Sequence, residues 1–522
     1  MQALVADIPK PRSRLFEGAV AISLSVLLGT GIVLMGDLRT LYQSAVLAGL
    51  VGIAALVSIP NRRMALVVGW VLVHPLSIEK VFFLGRPLMR DFFPPTIVIS
   101  ASDIFLLLLV ASLVYESVVQ KRKAWYWPAC GLPYALLIVW MGMLLLPHPS
   151  TEGALAVARD VKMLVFMVAL SSAVRTRNDF LLLLAAVLVA VGVQTVAVGI
   201  SYAMAKPLVV ASSRAVQGLL TFSGSEGSSY HRATGTLGHV NQQAVFHTFF
   251  TLPLLGLAWA RNRMWRAATI AVIAVSFLAL VLTFSRSAWL AFPMGAAAVI
   301  VLALKVKQID RRVWIVVWSG VVFMAVAFTI YNRPILDRLL VGDEGATASR
   351  KRAAELALDL SAMHPIVGVG PGRFVGASLE AFPPDVQETE WRTAGEREMP
   401  ERLGHLEYTQ VKVDEQPMLV PLPVHNKYLL VLSELGGIGL LLFVWFQWRV
   451  FRHALRAARA HDRVLLWAGL GIFGAFFATQ VYMMLDLFSD DKTMELLLIV
   501  PVLAIIADRL ASGERRAEGA PS

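Results

Sequence analysis

Long apolar stretches broken by short polar ones run along almost the whole chain. Residues 105–114, 181–193 and 270–282 show no period-two alternation, so they read as helices and not as barrel strands. A hydrocarbon core of about 30 Å is crossed by about 20 helical residues. By that measure about 14 candidate spans lie near 17–36, 40–59, 64–82, 96–118, 129–146, 155–174, 179–203, 242–260, 265–284, 287–305, 313–331, 427–448, 465–486 and 493–508. The third and sixth contain ionisable residues. The first follows Lys10, Arg12 and Arg14, as in a signal peptide, but the run is long and lacks a small-residue cleavage pattern. It reads as a retained span. The predicted fold class is therefore all-α, a polytopic transmembrane bundle of 12 to 14 helices.

Charge orients this bundle. Basic residues cluster in every second loop: Arg62 and Arg63, Lys121 to Lys123, Arg175 and Arg177, Arg261 to Arg266, Lys305 to Arg312, and Arg449 to Arg463. Arg509, Arg515 and Arg516 follow in the tail. All fall on one side if both termini are cytoplasmic, and an even span count requires the same result. The predicted organisation is N-terminal membrane helices over 1–331 with an outer loop at 204–241, a large outer loop at 332–426, C-terminal membrane helices over 427–508, and a tail at 509–522. Within the large loop, 347–363 has helical periodicity (Ala353, Leu356, Ala357, Leu360) and stops at His364-Pro365. A turn follows at 368–372, and 383–413 is polar.

Composition agrees. The chain of 522 residues is 57% hydrophobic and 16% charged, against roughly a quarter charged in soluble domains. The net charge of +11 is explained by loop orientation without invoking nucleic acid. The single cysteine, Cys130, excludes an intrachain disulfide, and zinc-finger spacing is absent.

Four polar patterns fall on the outer face. The first is Arg232-Ala-Thr-Gly-Thr-Leu-Gly-His239-Val-Asn241, just before a span. The second is Thr283-Phe-Ser285-Arg286-Ser287, in a tight turn between spans. The third is His364-Pro-Ile-Val-Gly368-Val-Gly370-Pro-Gly372-Arg373-Phe374. The fourth is Val424-His425-Asn426-Lys427-Tyr428, opening a span that continues Glu434-Leu-Gly436-Gly437-Ile-Gly439. Arg286 at the hydrocarbon edge is costly unless wetted or paired, and its planar fork suits phosphate oxygens; the alternative is a snorkelling anchor. Arg232 is an anion ligand or a solvated loop arginine. His425 at a helix mouth is of the type that accepts protons near neutral pH, or it caps the helix with Asn426. Glu434 lies about 13 Å deeper and is expected to pair with another span, its glycines favouring close helix packing. His364 is a second base or a cation at a helix C-terminus. Arg159 is an addition to the anion site or, with Asp160, a contact to interfacial water. Asp486, Asp490 and Asp491 form a cation site or a solvated acidic turn.

In this order, the patterns resemble the O-antigen ligase and Wzy polymerase superfamily of bacterial inner-membrane proteins, over roughly residues 230–450. The resemblance implies a multi-pass inner-membrane glycosyltransferase that is inverting, metal-independent and free of cofactors. Its donor would be an undecaprenyl diphosphate-linked glycan on the periplasmic side. It further implies that Arg232 and Arg286, supported by Arg159, hold the diphosphate, that His425 takes the acceptor's proton, and that Asn426, Glu434, His364 and Asn241 support the site. Expected partners are membrane lipid, an acceptor glycan or lipid A-core, and a chain-length regulator, with no nucleic acid. The chain's length favours an O-antigen or exopolysaccharide repeat-unit polymerase. The alternatives are a ligase to lipid A-core, a protein O-oligosaccharyltransferase and, in another class, a polysaccharide or lipid flippase. A transporter would show repeat symmetry and midplane helix breaks, which the pattern lacks.

Overall fold

The computed structural model describes residues 61–83, 96–147, 149–208, 211–212, 221–223, 229–307, 311–340, 344–380, 408–413, 416–421, 424–486 and 491–518. The first two predicted spans, the leader reading, most of the polar stretch 383–413, and Asp490 lie outside them.

The described chain is mostly helical. In order it forms α1 (Arg62–Val73), β1 (Ile78–Phe83), β2 (Thr96–Ser100), α2 (Ala101–Val118), α3 (Gly131–Leu145), α4 (Thr151–Ala173), α5 (Arg177–Met204), β3 (Ala211–Ser212), β4 (Thr221–Ser223) and β5 (Ser229–His231). There follow α6 (Val240–Thr251), α7 (Leu255–Ala258), α8 (Arg263–Leu282), α9 (Arg286–Lys305), α10 (Arg311–Leu340), α11 (Glu344–Met363), α12 (Phe374–Glu380), β6 (Tyr408–Val413), β7 (Gln416–Pro421), α13 (Lys427–Ala457), α14 (Arg463–Leu485) and α15 (Asp491–Glu518). Among the described residues, seven helices are long and apolar enough to cross a membrane: α2, α5, α8, α9, α13, α14 and the 493–513 part of α15.

Each predicted span from the third onward meets a helix, with three departures: the span expected at 96–118 opens as strand β2 and is helical only from Ala101, and proline explains the other two. The span expected at 64–82 is helical only to Val73; Pro75 opens a 3-10 turn, Ser77 turns left-handed, and β1 follows. The span expected at 242–260 changes to a 3-10 turn at Leu252–Leu254 around Pro253 before α7. The strands are short. β1 pairs antiparallel with β2 (Glu79 opposite Ser100) and parallel with β3. β4 and β5 form one hairpin (Thr221 opposite His231), and β6 and β7 another (Tyr408 opposite Pro421).

The interior is built on α14 and α15, which are buried along most of their length. α9 crosses α14 where Gly295 and Gly474 meet; a Cβ on either would come within 2.6 Å of the other's carbonyl oxygen. Small residues there replace side-chain packing with backbone contact, as helix pairs in lipid require. At one end of the bundle Glu116 binds both Arg63 and Arg175, Arg177 binds Asp462, and Arg509 donates to the carbonyls of Ser171 and Val174. These belong to the basic loops that the charge pattern placed together. The polar motifs gather at the opposite end.

α11 presents Ala353, Ala357 and Leu360 to Phe374 and Val375 of α12 and to Leu430 of α13. Burying Phe374 alone contributes about 2 kcal/mol. This roof then docks into a break in α13. At Gly436 the backbone has φ +66°, and residues 427–457 form two helical pieces there. The groups freed by the break are taken up by the turn at 365–370. Val369 and Gly370 N–H donate to the carbonyls of Ser433 (2.9 Å) and Glu434 (2.8 Å), and Gly437 N–H donates to Pro365 O (2.8 Å). Irregular backbone inside a membrane protein is tolerated when protein groups satisfy it in this way. The glycines after Glu434 thus make room for the roof; the expectation that they pack helices together is corrected.

Candidate functional site

The tight turn between α8 and α9 organises the site. Thr283 and Phe284 N–H close the end of α8 onto Leu280 O (3.3 Å) and Val281 O (2.9 Å). Phe284 then adopts φ +48°, a left-handed conformation rare for a bulky residue. Its buried ring holds it there, against Val281 and Ile335. Ser285 occupies the N-cap position of α9 but makes no cap bond. Instead its hydroxyl donates to Asn241 Oδ1 (3.2 Å) and lies 3.2 Å from the Tyr482 hydroxyl. Arg286 is the first residue of α9, half-buried, at the helix end whose dipole already favours an anion.

Arg232 is buried against the same turn. Its Nε donates to Thr283 O (3.1 Å) and its Nη2 to Phe284 O (3.4 Å). The loop carrying it is held residue by residue. Ala233 N–H donates to Leu282 O (3.0 Å), and Thr234 N–H reaches Ser201 Oγ (3.4 Å). Thr236 Oγ1 donates to Pro75 O (2.5 Å) and receives Gln194 Nε2 (2.6 Å). His239 caps α6 by accepting from Asn241 N–H. A third guanidinium, from Arg338, also reaches Phe284 O, at 3.3 Å from its Nε. Arg350 and Arg232 both lie within electrostatic reach of Tyr482.

His425 arrives from the other side. Asn426 is the N-cap of α13, accepting from Tyr428 N–H (3.0 Å) and Leu429 N–H (3.1 Å). The cap fixes the residue before it. His425 Nδ1 faces Asp486 Oδ1 at 3.4 Å, and Asp486 is the C-cap of α14. Asp486 also acts electrostatically on Tyr482, as Arg232 does, so the His425–Asp486 pair and the arginine turn both border this buried phenol. Asp486 is therefore paired with His425, while the readings of Asp490 and of the Asp491 side chain as a cation site or acidic turn lie outside what the structure describes.

Three other expected residues are placed elsewhere. Arg159 on α4 sits with Asp160, Lys427 and Glu434. Asp160 in turn accepts from Tyr134 OH at 2.6 Å. Two cations against two carboxylates make that group charge-balanced. Glu434 meets Arg159 of α4 electrostatically, as expected of a carboxylate inside the bundle, and is also held by the roof turn: Phe374 N–H donates to its Oε1 at 3.2 Å, and Gly372 N–H donates to it as well. His364 is exposed at the end of α11, with its N–H continuing the helix to Leu360 O.

The sequence reading missed Arg338, Arg350 and Tyr482 and did not join Asp486 to His425. The signal for the last was available in part, since both residues sit at outer ends of spans. Beside the turn, His231 is partly buried, and that burial lowers its pKa below the ordinary histidine value.

Residues 270–402 match a family model described as O-antigen ligase. The matched stretch contains the arginine turn and the His364–Phe374 motif. Arg232 and His425 lie outside it in sequence, yet the fold brings both to it. The match bears out the resemblance to the O-antigen ligase and Wzy superfamily. No curated protein matches the chain.

Proposed function

Taking the O-antigen ligase family match as premise, we propose that this membrane protein is a repeat-unit polymerase. It moves glycan from undecaprenyl diphosphate to a sugar hydroxyl at the periplasmic end of the bundle. The observation that carries this reading is the His425–Asp486 pair standing beside a turn loaded with arginines.

The geometry supports the following chemistry. His425 donates Nδ1–H to Asp486, which leaves Nε2 as the basic nitrogen. Nε2 takes the proton from the acceptor hydroxyl as that oxygen attacks the anomeric carbon. The bond from that carbon to the diphosphate oxygen breaks, and the diphosphate leaves with the electron pair. One displacement inverts the anomeric centre. Arg232 and Arg286, with the N-terminus of α9, stabilise the charge that grows on the leaving group.

The family description favours a second reading, transfer to lipid A-core. Purified protein given only a lipid diphosphate-linked repeat unit separates the two. A growing ladder supports the polymerase. Reaction only after lipid A-core is added supports the ligase. No reaction with either returns the flippase reading.

A further inference from the structure

We propose that residues 118–127, which join α2 to α3, form a docking surface for anionic phospholipid headgroups. The surface lies at the end of the bundle opposite the arginine turn, and it would bind lipid whether or not the chain is a transferase.

The local fold separates anchors from exposed groups. α2 runs to Val118, and Val119 N–H closes it onto Tyr115 O (2.9 Å). Lys121 then turns left-handed at φ +51°, and Arg122 N–H returns to Glu116 O (3.0 Å). The irregular chain beyond is tied down by its backbone. Arg175 Nη2 donates to Ala124 O (3.2 Å), and Tyr126 N–H donates to Ser172 Oγ (2.8 Å). Trp125 and Tyr126 pack against the interior, and the Arg509 guanidinium stands 4.7 Å from the centre of the Tyr126 ring. The other side chains are left outside. Lys121, Arg122 and Lys123 are all exposed. Beside them Val118 is 68% exposed, Val119 61% and Trp127 55%.

The acids described at this end are committed to other partners. Glu116 holds Arg63 and Arg175, Asp462 holds Arg177, and Asp508 holds Arg456 and His453. Asp179 accepts from the N–H groups of Arg175 and Thr176 and from Asn61. Among the described residues, no acid forms an ion pair with Lys121, Arg122 or Lys123. The occupant is therefore an anion from outside the chain. The apolar neighbours decide which. At the end of a spanning helix, an indole ring and the stems of lysine and arginine sit at headgroup level. Acyl chains cover Val118, Val119 and Trp127, whereas a soluble acidic partner would leave them beside water. A backbone clamped before the lipid arrives also lowers the ordering cost of binding. Each cation at an anionic membrane surface strengthens attachment about fivefold.

The test titrates purified full-length protein in neutral detergent with phosphatidylglycerol or phosphatidylcholine and reads lipid occupancy by native mass spectrometry. The wild type should take phosphatidylglycerol more tightly. Lys121→Gln/Arg122→Gln/Lys123→Gln is expected to lose roughly tenfold to a hundredfold in phosphatidylglycerol affinity, with phosphatidylcholine unchanged. Its thermal unfolding midpoint should match the wild type, because the substituted side chains are exposed. If it does not fold, Arg122→Gln alone takes its place, with an expected loss of about fivefold. Lys305 and Lys307 are exposed cations at the same end. Lys305→Gln/Lys307→Gln should change phosphatidylglycerol affinity less than about threefold. Trp127→Ala, which keeps every charge, should weaken phosphatidylglycerol binding several-fold. A wild type that does not prefer phosphatidylglycerol overturns the surface. An unchanged triple variant does so too, and leaves the basic residues as an orientation signal alone. Equal loss in the Lys305/Lys307 variant overturns it as well, since attraction would then be a property of any basic loop.

Discussion

Two clusters of buried charge lie among these helices, and they follow opposite rules. One joins four elements: His74 Nδ1 meets Glu495 at 2.9 Å, Lys162 meets Glu495 at 2.9 Å, and Lys162 meets Asp103 at 2.7 Å. Trp70 stacks on His74, and Ser102 Oγ lies 3.5 Å from it. Each carboxylate there faces a cationic or protonatable partner. The other cluster brings Arg232 and Arg338 onto carbonyl oxygens of the turn before Arg286, while Asp486, Arg232 and Arg350 all act electrostatically on Tyr482. Charge that is closed on itself ties helices together. Charge gathered at a helix N-terminus, with backbone carbonyls among its acceptors, is suited to hold an anion. The group of Arg159, Asp160, Lys427 and Glu434 resembles the first kind and fastens the roof to α13.

The largest test of this contrast is His425→Ala. Glycan transfer should fall roughly 10²- to 10⁴-fold in single-turnover assays, while the unfolding midpoint in detergent stays put. Normal polymer from this variant would remove the proposed base. Lys162→Met should behave in the reverse manner. It leaves Glu495 and Asp103 without their shared cation, so stability drops by about 3 kcal/mol, read as a lower midpoint, while turnover per folded molecule is kept. Adding Glu495→Gln should recover part of the loss; failure to do so would mean the network is more than a closed set of pairs.

Asp486→Asn is expected to slow transfer roughly tenfold to a hundredfold with a smaller change in donor affinity, because it disturbs the orientation and tautomer of His425. A change confined to affinity would place Asp486 in substrate binding instead. The smallest effect is expected at His231. Its folded-state pKa lies below the unfolded value, so the unfolded chain takes up a proton first as pH falls below about 6.5. Stability is therefore present at neutral pH and lost on acidification. In His231→Gln the fall in midpoint between pH 7 and pH 5 should shrink by about 1 °C; an unchanged slope would show that other groups dominate.

Much of this architecture is legible from residue order alone. Apolar runs of about 20 residues have no stable place but a helix through lipid, and loops rich in arginine meet at one end as their charge pattern requires. Ala353, Ala357 and Leu360 announce the buried face of α11 by spacing. The helix boundaries at Pro75 and Pro253 were less legible, because a hydropathy window averages over a single missing N–H donor.

The site divides along the same line. Arg232, Arg286 and His425 stand out in sequence because polar residues at the mouths of apolar spans are costly without a purpose. Their partners do not stand out. Asp486 is 61 residues from His425, and Arg338 is 54 residues from Phe284. Sequence by itself determined a helical membrane bundle with three residues to test at one end. Only the tertiary structure decided that Glu434 anchors a roof, that Asp486 faces His425, and that a kinked helix brings Arg338 to the Phe284 carbonyl. The reason is physical. Periodicity and hydropathy report each helix's environment one segment at a time, whereas a hydrogen bond between distant segments depends on where kinks, breaks and packed glycines direct the chain.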